Sequence, residues 1–162
     1  MSKSARASRG LPGGIVHMLY MTAFLLLEGG TLKSLKASLP EQPNSGGSNP
    51  DGTIYARDPA HFLYNDLPAD QQQHWIAQLG PTNPAGLGKT QAHQPSLHMP
   101  CTYLVCEGDN CIVAATQRFM VDQALAVRAR LCTESCSAGH SPFLSQPELV
   151  ADLIVKVGTP HS

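Results

Sequence analysis

The sequence has no surplus of charge: Lys and Arg total 11, Asp and Glu total 12, and the formal charge is −1 with a pI near 6.6. Without a basic field there is little to attract phosphate backbones or anionic lipid, so nucleic acid and membrane surfaces are set aside as partners and a small-molecule ligand is preferred. Paired zinc-ligand spacing is also missing. The five cysteines, at 101, 106, 111, 132 and 136, form no C-x-x-C, and their odd number argues against a closed disulfide framework. They read as reduced, mostly buried thiols. His61, His74, His93 and His98 share no ligand spacing, so no metal and no cofactor is expected. A long hydrophobic run is lacking too. The apolar stretch 15–27 falls short of the roughly 20 residues that span a bilayer. Lys3, Arg6 and Arg9 precede it as in a secretory signal, but His17 and Tyr20 interrupt it and Glu28-Gly-Gly follows without a small-x-small cleavage pattern. The expectation is a cytoplasmic protein whose residues 15–27 form a buried strand.

What is present is enough for one ordinary core, with 42% apolar residues in a chain of 162. Residues 1–12 are Ser- and Arg-rich without periodicity and are expected to be disordered or loosely attached. The near-continuous apolar run from Ile15 suits a strand covered on both faces of a parallel sheet. Gly29-Gly30 ends it, and residues 38–51, rich in Pro, Asn, Ser and Gly, read as a flexible excursion. Asp58-Pro59 supplies an N-cap followed by Pro at the first helical position. A second helix is expected over 68–80, with Trp75, Ile76 and Leu79 on its apolar face and Gly80 as its stop. Residues 81–100 read as irregular.

The last third is the most regular. Cys101-Thr-Tyr-Leu-Val-Cys106 reads as a buried strand and Glu-Gly-Asp-Asn as a turn. A helix is expected over 113–127 with Phe119, Met120 and Val127 inward, then a short strand over 131–135. Ser145-Gln-Pro-Glu148 has the form of a capping box opening a helix that Gly158 stops, with Leu149, Val150, Leu153, Ile154 and Val157 on one stripe. This strand–helix–strand–helix order implies parallel strands and a site at their C-terminal edge. Asp109 lies just past one strand and His140 just past the next, and strands about 4.8 Å apart can bring two such residues within hydrogen-bonding reach.

Three stretches here resemble a known family. Tyr103-Leu-Val-Cys-Glu-Gly-Asp-Asn110, Gln117-Arg-Phe-Met120 and Ala138-Gly-His-Ser-Pro-Phe-Leu-Ser-Gln-Pro147 are similar to the C-terminal motifs of α/β-hydrolase-fold enzymes. The branch they resemble is the fungal esterase-like one related to plant methylesterases and hydroxynitrile lyases. Residues 14–30 resemble that family's sixth strand and exit into the cap, and Asp58-Pro-Ala-His-Phe-Leu-Tyr-Asn-Asp-Leu-Pro68 resembles the cap. The resemblance covers Gly13 to about Val157. It implies the C-terminal part of an α/β-hydrolase over 13–162: about three parallel strands with flanking helices, plus a small helical cap over about 30–98. It also implies that Asp109 is the triad acid and His140 the base. A carboxylate on one ring nitrogen fixes the tautomer a general base needs, which is the physical content of that pairing. Glu107 is the alternative acid, at the strand end rather than on the turn. Phe62, Tyr64 and Trp75 are expected to pack the cap, and in the family such residues line the pocket.

The family's nucleophile elbow, G-x-S-x-G, does not occur in the sequence. Ser45 lacks a Gly two residues before it and follows the first strand, Ser141 adjoins the base, and Cys106 and Cys111 flank the acid. The resemblance therefore implies cleavage of a small, apolar carboxylic ester by a protein in which this chain supplies acid and base. Nucleophile and oxyanion hole come from a complementary N-terminal half, and the chain alone is expected to be inactive or to self-associate. The alternative is a non-catalytic remnant or binding protein.

Overall fold

The computed structural model describes residues 1–39 and 43–159. Its centre is a three-stranded sheet in the order β1-β4-β5: β1 (Met18–Met21), β4 (Cys101–Cys106) and β5 (Leu131–Cys136). Both pairings are parallel, with Met18 opposite Cys101 and Cys106 opposite Cys136. All six residues of β4 are buried, as its unbroken apolar run requires of a central strand in a parallel sheet. Alternate β4 side chains point to opposite faces. Tyr103 and Val105 pack on Met120, Val121 and Ala124 of helix α5 (Ala114–Ala126), whereas Leu104 and Cys106 pack with Val150 and Leu153 of helix α7 (Pro147–Gly158). The two long helices therefore cover opposite faces of the sheet.

The segment expected to be loose is instead tied to Ile15, three residues before β1. Helix α1 (Lys3–Ala7) is capped by Ser2, whose hydroxyl accepts from the Ala5 N–H, and Lys3 N–H donates to Ile15 O at 2.9 Å. Gly14 allows this approach, since a Cβ there would sit 2.6 Å from Lys3 Cα. The apolar run that follows yields a strand of only four residues, each half-buried, because β1 lies at one end of the sheet and has a β neighbour on one side. His17, half-buried just before β1, is hydrogen-bonded, its Nε2 being 2.9 Å from Thr102 Oγ1.

Between β1 and β4 the chain forms the cap. Helix α2 (Leu32–Ser38) opens with a capping box between Thr31 and Ser34. The stretch expected to be a flexible excursion contains β2 (Gly46–Ser48), which pairs antiparallel with β3 (Ile54–Ala56) just beyond it. Residues 40–42 of that stretch lie outside the described residues. Asp58 caps α3 (Pro59–Phe62) as the sequence implies, accepting from His61 N–H. Helix α4 (Ala69–Ile76) ends four residues before Gly80, and Leu79 is exposed beyond it. The return segment, 81–100, lacks regular elements apart from two 3₁₀ turns, Pro84–Gly86 and Pro95–Leu97. It is nonetheless anchored. Gln94 and Ser96 are buried, Gln94 Oε1 accepts from Glu28 N–H, Gly29 N–H donates to Gln91 O and Gln91 N–H donates to Gly30 O. Entry to and exit from the cap are thus stitched together.

Three expectations about helix faces and ends are corrected. Val127 lies past the end of α5 and is exposed, and Phe119 is only half-buried, leaving Met120 as the inward anchor. On α7 only Val150 and Leu153 are buried; Leu149 and Ile154 face outward. Ser145 forms no capping box. It ends a short helix, α6 (Pro142–Ser145), and Gln146 becomes the α7 N-cap because Pro147 takes the first helical position. Among the described residues no helix is long and apolar enough to cross a membrane.

Candidate active site

The turn after β4 carries Asp109 and the turn after β5 carries His140, and the parallel register brings them together. His140 Nδ1 lies 3.0 Å from Asp109 Oδ2 and 3.1 Å from Oδ1. The Asp109 side chain is fully buried, and the imidazole keeps one fifth of its surface exposed. A carboxylate only accepts, so Nδ1 carries the hydrogen of this contact. The buried carboxylate fixes the orientation of the imidazole ring.

The acid is held by other donors as well. Cys111 N–H and Ile112 N–H donate to Asp109 Oδ1 at 2.8 and 2.9 Å, and Gln117 Nε2 donates to Oδ2 at 3.2 Å. Gln117 is itself fully buried on α5; its Oε1 accepts from Cys106 N–H and its Nε2 also reaches Ile112 O. The turn and α5 thus hold the carboxylate from Cys111, Ile112 and Gln117, while His140 meets it from the turn after β5. Glu107, the alternative acid, points outward into a surface ion pair with Arg118.

A cavity of about 310 Å³ opens beside His140, lined among others by Phe24, Leu32, Leu39, Lys36, Ile54 and Ile112. Its wall is mainly apolar and its size suits a small ligand. It sits between the exit of β1, helix α2 and the β2–β3 hairpin. Phe62, Tyr64 and Trp75 are absent from its lining, so they serve the cap, with Tyr64 buried.

The nucleophile candidates inside the chain are Ser45, Ser141, Cys106 and Cys111. Ser45 and Cys111 share this cavity, but Cys111 Sγ is spent on a 3.4 Å contact with Ser45 Oγ, and burial pushes its thiol pKa up. Burial likewise raises the Cys106 thiol, whose Sγ lies 3.7 Å from Cys136 Sγ. A raised thiol pKa starves a site of the reactive thiolate. Ser141 is buried beside the base, its carbonyl accepting from Leu144 N–H. Among the described residues no group of three His, Cys, Asp or Glu side chains could hold a metal ion.

Reading the sequence missed three polar residues of this site. Gln117 stood in a quoted motif without a role, and Asn65 and Asp66 stood inside the cap motif. Two buried donors in a helix otherwise read for its apolar face, or an Asn-Asp pair between two short helices, were the signals available.

Comparison with known proteins agrees with this architecture. A family model described as "Alpha/beta hydrolase family" matches residues 5–153. The alpha/beta hydrolase nvfD of Aspergillus novofumigatus is 26% identical over 160 residues, covering 93% of this chain and 63% of the other. A pyrethroid hydrolase from Sphingobium faniae shares the fold at a TM-score of 0.70 and 19% identity, over 98% of this chain and 66% of that one. Polyneuridine aldehyde esterase does so at 0.65 and 15%, over 90% of this chain and 63% of that one. The methylesterase MES16 from Arabidopsis does so at 0.64 and 17%, over 89% and 59%. The chain therefore spans 59% to 66% of the length of these relatives.

Proposed function

The chain belongs to the alpha/beta hydrolase family, and from that premise we propose that Asp109 and His140 are the acid and base of a Ser-His-Asp triad that cleaves a small, apolar carboxylic ester. The observation that carries this reading is the contact of His140 Nδ1 with both oxygens of a fully buried carboxylate. With Nδ1–H engaged, Nε2 takes the proton of an attacking serine hydroxyl as its oxygen bonds to the ester carbonyl. The same nitrogen then gives that proton to the departing alkoxide, and water repeats the cycle on the acyl-enzyme. Asp109 keeps the ring oriented and balances the charge of the transient imidazolium.

The serine and the oxyanion hole come, in this reading, from outside these 162 residues, because no G-x-S-x-G occurs in them. The chain alone is then inactive, since acid and base without nucleophile and oxyanion donors leave little rate above background. A complementary half carrying both would complete the sheet and the site. Apolar lining beside His140 supports an apolar acyl or alkyl group, and the esterase-like fold relatives support the reaction class. Five unbridged thiols fit a reducing compartment, the cytoplasm.

The test begins with the genomic DNA upstream of Met1, read for strands followed by G-x-S-x-G. Where such a frame joins this one, the product is expected to hydrolyse p-nitrophenyl esters, and Asp109→Asn is expected to lower kcat by roughly 10³- to 10⁴-fold. A joined product carrying the elbow but without turnover would sink the esterase reading. Turnover by the 162-residue chain alone that disappears in His140→Ala would place the nucleophile inside it.

A further inference from the structure

The cap touches the acid and base loops through two consecutive side chains. Past α3 the chain turns through Asn65 and Asp66. Asn65 Nδ2 donates at 2.9 Å to the carbonyl of Gly108, the residue before Asp109. Asp66 Oδ2 accepts at 2.6 Å from the N–H of Gly139, the residue before His140. The two loops are also joined directly, Gly108 N–H donating to Ala138 O at 3.0 Å. One dipeptide from the cap therefore holds one loop by its carbonyl and the other by its amide.

Packing makes the clamp close. A Cβ on Gly139 would lie 2.4 Å from Asn65 Oδ1 and 2.8 Å from Asp66 Oδ1, so only glycine lets both side chains approach. Asn65 Oδ1 is buried and accepts no hydrogen bond among the described residues. Leaving an amide oxygen desolvated costs stability, so the side chain is held there by what its other end does, the bond to Gly108 O. The Asp66 contact is a carboxylate on a backbone N–H, the stronger class of hydrogen bond.

We propose that Asn65 and Asp66 are positioning residues that set the distance and angle between Asp109 and His140, so that the seating of the cap governs whether the base is oriented. This rests on the acid–base reading above. Strand spacing alone brings the loops near each other, but an error of about 1 Å in such a pair is enough to cost about 10²-fold in rate. The cap dipeptide removes that freedom from both loops at once.

The readout is the tautomer of His140, followed by two-dimensional NMR of the ¹⁵N-histidine-labelled chain at about pH 8, where an ordinary imidazole is neutral. The native chain is expected to show one tautomer with hydrogen on Nδ1. The double variant Asn65→Ala/Asp66→Ala is expected to lose the single-tautomer signal and give a mixture, while its far-ultraviolet circular dichroism stays native. Asp66→Asn keeps an oxygen acceptor for Gly139 N–H and is expected to retain the single tautomer. Gly139→Ala leaves both side chains in place but pushes them away, and is expected to reproduce the mixture even if the double variant fails to fold. A single Nδ1–H tautomer surviving in Gly139→Ala, or in a folded double variant, overturns the proposal. Asp109→Ala, which leaves no acceptor for Nδ1–H, separates the two readings: if that variant leaves the His140 tautomer of the native cap unchanged, the acid–base pairing itself fails.

Discussion

Gln117 shows how much of a site can depend on one uncharged side chain. It bonds the end of β4 through Cys106 N–H, the turn through Ile112 O and the acid through Asp109 Oδ2. Leucine has nearly the same volume but offers none of these bonds, and each buried group left without a partner costs roughly 1–3 kcal/mol. At about 2–4 °C per kcal/mol for a chain of this size, Gln117→Leu is expected to lower the thermal midpoint by roughly 4 °C or more; a melting curve within a degree of the native one would show that the network is dispensable. The thiols give a second check at this scale. Cys132 is exposed, Cys111 is half-buried, and Cys101, Cys106 and Cys136 are buried, with burial pushing Cys101 up to about 11. One thiol is expected to react promptly with Ellman's reagent at neutral pH, Cys111 more slowly, and the other three only on unfolding. Three or more prompt thiols would contradict the packing of β4 against β5. The contact of Asp109 with His140 was legible in the sequence because each sits one turn past a readable strand. Asn65 and Asp66 were not, because their roles are defined by partners far along the chain, at separations of 43 and 73 residues; Gln117 has partners within 11 residues, but nothing in the sequence marks a neutral amide on a helix as buried.

Among the elements, those with a continuous apolar run or a buried helical face were the readable ones. β4 matches its apolar run end to end, and α5 and α7 fall within a residue of their expected ranges. Elements decided by a few polar contacts were not readable. Helix α1 depends on Ser2 and on bonds to Ile15, and the β2–β3 hairpin on a turn where Thr53 N–H donates to Asp51 Oδ1. The start of α7 is the instructive error. Ser-x-x-Glu with Pro between satisfied the pattern of a capping box, but Pro147 at the first helical position shifts the N-cap to Gln146. Ser145 Oγ turns back toward Ser141 O at 3.5 Å, a marginal contact. Ser145→Ala is therefore expected to change stability by less than about 0.5 kcal/mol, where loss of a true cap costs about 0.5–2 kcal/mol. Chemical denaturation decides between them, and a loss above 1 kcal/mol, roughly, would restore the capping box.

For the whole molecule the two ends of the sheet differ in kind. At the β5 end, Thr133 and Ser135 are exposed and Glu134 is paired with Lys156, the polar and charged features that blunt an open edge. The β1 end reads Met-Leu-Tyr-Met. Met18 N–H is directed to Pro100 O on the β4 side, so in a parallel ladder the neighbouring Leu19 presents its backbone groups to the other side. Val16 and Phe24, flanking the strand, are exposed. An edge of this kind is a template for a further strand, which is where we propose that a complementary half pairs. In its absence another copy of the chain can take the place. Sedimentation velocity is expected to show association that grows with concentration, and Val16→Lys/Phe24→Lys to weaken it by placing charge at the edge without entering either core. A native chain that sediments as a concentration-independent monomer would mean that the β1 edge is closed by means other than a partner strand, and the proposed pairing with a complementary half would lose its structural basis.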